Sequence, residues 1–102
     1  MAANSLESAD MNHERRVVRY RGHVQGVGFR FTAVRIAQNH AVSGYVANLP
    51  DGAVRLVAEG EPAELDRFFQ AVRSALAGHI NDFDVDVSQA TNEFTGFDVR
   101  FS

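Results

Sequence analysis

Gly26 and Gly28, with Arg30 two residues further on, are the residues in this chain whose types and spacing best suit chemistry. They lie in His23-Val24-Gln25-Gly26-Val27-Gly28-Phe29-Arg30, where an alternating, strand-like pattern gives way to helical spacing. Glycine reaches positive φ and lets a ligand approach the backbone closely. Successive amides in such a loop can turn inward around an anion, and the start of the following helix adds partial positive charge. The Arg30 guanidinium is planar, permanently charged and shaped to grip phosphate oxygens two at a time. Together these features describe an anion cradle, best matched to phosphate. The residues alone leave a second reading open, in which the glycines only make a tight strand-to-helix turn and Arg30 lies on a solvated face.

Two familiar phosphate loops fail on detail. A dinucleotide fingerprint needs a third glycine where Phe31 stands. A Walker-type loop needs Gly-Lys-Ser/Thr, and the chain contains no lysine. Asn48 stands two residues before Pro50-Asp51-Gly52 and by itself reads as a turn asparagine. Asp82, Asp84 and Asp86 alternate as if on one strand face, without the turn glycine and final glutamate of a calcium loop. His13, His23, His40 and His79 have no ligand spacing and read as surface or turn residues. Of these only His23 adjoins the glycine loop, where it could add charge below its pKa. There is no cysteine, which removes disulfides, thiolate catalysis and cysteine zinc sites. No metal and no cofactor are expected.

The elements that must hold these residues follow from periodicity. Arg15 to His23 alternates, with Val18 and Tyr20 on one face and Val17, Arg19 and Arg21 on the other. Phe29, Ala33, Ile36 and Ala37 predict a helix to about Asn39. Strands are predicted over Ser43–Leu49 and Val54–Glu59, joined by the Pro-Asp-Gly turn, with Val54, Leu56 and Ala58 facing one way and Arg55 and Glu59 the other. Pro62 opens a second helix that Gly78 stops, with Leu65, Phe68, Phe69, Val72, Ala75 and Leu76 as its apolar stripe. Asp82–Val87 alternates strictly, and Phe97–Phe101 is a short last strand. The order βαββαβ with a terminal strand gives a ferredoxin-like α+β sandwich, an antiparallel sheet with two helices on one face. The first and fourth strands would then be antiparallel neighbours, with Arg19 and Arg21 facing Asp82, Asp84 and Asp86.

The 102 residues are enough for one core. A hydrophobic content of 45% and a charged content of 23% are those of a globular protein. A net charge of −3 argues against a general nucleic-acid binder, so bound anions must be met by local positive charge. Residues 1–14 are polar and aperiodic and read as a disordered tail, leaving 15–102 as the domain. No apolar run has membrane-spanning length and no signal-peptide core is visible, so no membrane association and a cytoplasmic location are expected. A monomer is expected.

Gly22 through Arg30, then Ser43-Gly44-Tyr45-Val46-Ala47-Asn48-Leu49-Pro50-Asp51-Gly52, Val54 through Gly60 and Gly96-Phe97-Asp98-Val99-Arg100, resemble the acylphosphatase family. The resemblance spans roughly Arg15 to Phe101 and implies the same fold as the pattern. It implies hydrolysis of small acyl phosphates to a carboxylate and inorganic phosphate. Arg30 resembles the family's phosphate-binding arginine, and Asn48 the asparagine that orients the attacking water. The backbone of Val24, Gln25, Gly26, Val27, Gly28, Phe29 and Arg30 resembles the phosphate cradle. The sequence departs from the family where Tyr45 replaces a common tryptophan, Ala47 a basic or polar residue, and Ala41 a glycine at the helix exit. If Ala41 needed positive φ, it would cost about 1 kcal/mol.

Two other functions share this fold. A non-catalytic phosphate- or anion-binding regulatory module would lack Arg30 or Asn48, and both are present. Single-stranded RNA binding needs aromatics on the third strand, and Ala53–Glu59 has none. No nucleic-acid partner is therefore expected.

Overall fold

The computed structural model describes residues 12–101. Seven elements follow in order: β1 (Glu14–Gly22), α1 (Phe29–Ala37), β2 (Ser43–Asn48), β3 (Val54–Gly60), α2 (Pro62–Ala75), β4 (Ile80–Gln89) and β5 (Phe97–Arg100). The five strands form one sheet in the order β4-β1-β3-β2-β5. Every pairing is antiparallel except β2 with β5, which run parallel. The α+β sandwich read from the sequence is the fold observed.

The main core lies between the helices and one sheet face. Val18 and Tyr20 from β1, Val46 from β2, and Val54, Leu56 and Ala58 from β3 pack on Phe29, Ala33 and Ala37 of α1. The stripe Leu65, Phe68, Phe69 and Val72 of α2 closes it, and Leu76 follows at the helix cap. Ala75, expected in that stripe, is exposed. α1 also ends earlier than its pattern suggests: the Asn39 amide bonds to Ile36 and the His40 amide to Ala37, so the last turn tightens. Ala41 does not adopt positive φ, so the expected strain at that position is absent.

The tail assigned to residues 1–14 falls mostly outside the described residues. Its last residue, Glu14, already stands in β1 between Gly60 and Gln89, because main-chain pairing continues on both sides of the strand. β4 likewise runs beyond Asp82–Val87 for the full length of its partner.

The second sheet face is less open than its polar pattern suggests. Tyr45, Ala47 and Val57 are buried there, with Val17 and Phe94 packed against them. Glu59, expected on a polar face, is 4% exposed. Its carboxylate accepts hydrogen bonds from the amides of Thr91 and Asn92, both at 2.9 Å, and from Arg15 at 3.3 Å. These bonds hold its pKa below the ordinary glutamate value against the opposing effect of burial. The arginine–aspartate ladder forms in part. Arg21 pairs with Asp82 at 2.6 Å and Asp84 at 2.7 Å. Arg19 stands opposite Asp84 in register but pairs with Asp51 of the β2–β3 turn, and Asp86 stands opposite Val17.

Candidate active site

β1 ends at Gly22, and the chain crosses to α1 through Gly26 and Gly28, at φ 78° and 79°. A Cβ at either glycine would meet nothing within 4 Å, so their role is conformational and their surroundings are open. Gly28 is the N-cap of α1 in the left-handed region, and no side chain caps the helix start. The first amides of a helix have no acceptor within the helix itself. Val24 and Phe29, both buried, pin the two ends of the loop to the core. Arg30 follows directly, in the first turn of α1.

Asn48 is the last residue of β2. The fold brings it into the same cleft as the loop: Val24, Gly26, Gly28, Phe29, Arg30 and Asn48 line one open depression of about 330 Å³. Phe31 and Val34 of α1, with Val99 and Phe101 from the end of the chain, complete it. The cradle reading of Gln25 and Val27 concerns their backbone. The Val27 side chain packs partly buried against the core. The Gln25 side-chain amide donates to the carbonyls of Leu49 at 2.8 Å and Ala53 at 2.9 Å, tying the loop to the turn after Asn48.

His23 lies outside this cleft, with its ring 6.3 Å from that of His79. His40, read as a surface or turn residue, lies in the bend after α1, partly buried, and approaches Glu64 through Nδ1 at 2.9 Å. Asp82, Asp84 and Asp86 do not converge, and no group of three or more metal-ligating side chains occurs among the described residues. Among those residues, no helix is long and apolar enough to cross a membrane.

A glycine loop, an arginine at a helix start and a strand-end asparagine thus share one cleft. The acylphosphatase family model matches residues 16–99, a span that contains all of them. The chain belongs to the acylphosphatase family. An acylphosphatase of Lactobacillus gasseri is 40% identical over 82 residues, covering 78% of this chain and 90% of its own. One from Salinibacter ruber is 44% identical over 89 residues, covering 85% and 94%. The crystal structure of the Bacillus subtilis acylphosphatase superposes with a TM-score of 0.73 at 29% identity, over 86% of this chain and 98% of that one. The chain is accordingly a hydrolase of acylphosphatase type.

Proposed function

We propose that this protein hydrolyses the carboxyl–phosphate bond of small acyl phosphates without a metal ion, releasing a carboxylate and inorganic phosphate. The observation that carries the reading is the convergence of Arg30, the Gly26–Gly28 loop and Asn48 on one cleft. An acyl phosphate is a mixed anhydride whose carboxylate leaves without a general acid. Phosphoryl transfer from it asks mainly for positioning and charge stabilisation.

Arg30 and the amides of the loop from Val24 to Arg30 hold the phosphate oxygens and stabilise charge on them in the transition state. The Asn48 carbonyl oxygen accepts a hydrogen bond from the attacking water and sets its line of approach. Neutral asparagine does not take the proton, which passes instead to an oxygen of the substrate's own phosphate.

The test is turnover of benzoyl phosphate in EDTA by wild type, Arg30→Ala and Asn48→Ala. Wild type is expected to retain full rate with the chelator. Each variant is expected to lose about 10²-fold or more in kcat while remaining folded. Folded wild type with no turnover would mean that the cleft binds an anion without processing it. An EDTA-sensitive rate would overturn the metal-free mechanism.

A further inference from the structure

The second sheet face carries a depression of about 260 Å³ that shares no lining residue with the cleft. Val17 and Arg19 of β1, Arg55 of β3, Asp84 and Asp86 of β4, and Leu49 line it. Two of its four charges are already matched. Arg19 pairs with Asp51, and Asp84 accepts from Arg21 at 2.7 Å. The other two are not: among the described residues, Arg55 and Asp86 form neither a hydrogen bond nor an ion pair. Arg55 Nε is also shut off from solvent, a charged group's donor buried without an acceptor. Its cross-strand neighbour on β1 is Arg19, a second cation. Both features cost stability, one through a hydrogen bond not made and the other through like-charge repulsion.

Register explains why the unmatched pair does not meet. Arg55 stands opposite Arg19, Asp86 stands opposite Val17, and β1 runs between their strands. Their positions are two strand spacings apart across the sheet, about 10 Å, and one two-residue step apart along it, about 7 Å. Side chains standing perpendicular to the sheet keep that diagonal, about 12 Å. A lone anion drawn to Arg55 would face Asp86, and a lone cation drawn to Asp86 would face Arg55. A zwitterion satisfies both. With about 3 Å taken by a charged hydrogen bond at each end, the ligand's own charges stand about 6 Å apart. An ω-amino acid of about four or five carbons has that span, and an α-amino acid does not. Val17 and Leu49 offer apolar contact to the methylenes between the charges. We infer that this depression binds a short ω-amino zwitterion, its carboxylate on Arg55 and its ammonium on Asp86.

The experiment follows backbone amide NMR shifts while the protein is titrated with γ-aminobutyrate, butyrate, n-butylamine and glycine. Inorganic phosphate is present throughout to occupy the glycine-loop cleft. The γ-aminobutyrate titration should saturate with a Kd of about 1–10 mM and move the amides of Val17, Leu49, Arg55 and Asp86. Butyrate and butylamine each lack one charge and glycine lacks the span, so each should bind at least about 10-fold more weakly. Asp86→Asn and Arg55→Met should stay folded and lose saturable binding. Asp86 is exposed, and replacing Arg55 removes a donor that has no acceptor, so neither change orphans a partner. The site is overturned by the absence of saturable shifts, or by shifts confined to the Gly26–Arg30 segment. Equal affinity for butyrate, butylamine or glycine overturns it too, as does undiminished binding by folded Asp86→Asn.

Discussion

A neutral side-chain amide joins the two halves of the candidate site. Gln25 Nε2 spans from the glycine loop to the carbonyls of Leu49 and Ala53, and so fixes the turn immediately after Asn48. Both carbonyls also accept a backbone amide, Leu49 from Gly52 and Ala53 from Leu49, so neither is orphaned when Gln25 is replaced. Gln25→Leu should therefore cost only about 1 kcal/mol of stability. On the proposed mechanism it should lower kcat about 10-fold, because the water-orienting asparagine is less well placed, while inhibition by inorganic phosphate stays unchanged. Kinetics with phosphate as inhibitor check this, and a loss of phosphate affinity in step with kcat would contradict it. The glycines and Arg30 were legible in the sequence because backbone conformation and permanent charge dictate residue type. The role of the Gln25 side chain was not, since its partners are carbonyls, which every residue carries.

Strand β2 owes its seat beside β3 to a missing side chain. Gly44 has φ 150°, and a Cβ there would stand 1.9 Å from the Val57 carbonyl oxygen. The obstacle is the backbone of a central strand, which has little room to yield. Gly44→Ala should cost more than about 3 kcal/mol, read as a fall in the urea midpoint. Gly28→Ala meets no atom within 4 Å, so it should cost only the left-handed conformation, about 1–2 kcal/mol. If the two variants lost equal stability, close approach would not be what selects glycine at position 44. The order of the elements was legible from their periods of two and 3.6. The burial of Glu59 and Val57 was not, because period two records that the faces of β3 differ but not what covers the second. The cover is Phe94 and the Thr91–Glu93 segment, which carry no regular pattern.

Glu59 ties the middle of the sheet to the connection between its last two strands, and so makes the stability of the whole molecule depend on pH. Its folded pKa is depressed, so its contribution is fully present above the ordinary glutamate value. That contribution is lost as pH falls through the lower folded value. Glu59→Gln should lower stability by about 1–3 kcal/mol at pH 7, and the gap from wild type should close as pH falls below the depressed folded value. Urea midpoints at pH 7 and across the acid range test this, and a gap that persists throughout would assign the loss to packing. The connection that Glu59 secures leads into β5, which pairs with β2 from Gly44↔Phe97 to Ala47↔Arg100 and supplies Val99 and Phe101 to the cleft. The cleft is therefore walled by residues from both ends of the described chain. Closing so long a loop is slow compared with forming the helices or the β2–β3 hairpin. Time enters here: a chain can be mostly folded and still lack Val99 and Phe101 from its cleft, which is complete only once the last strand has docked.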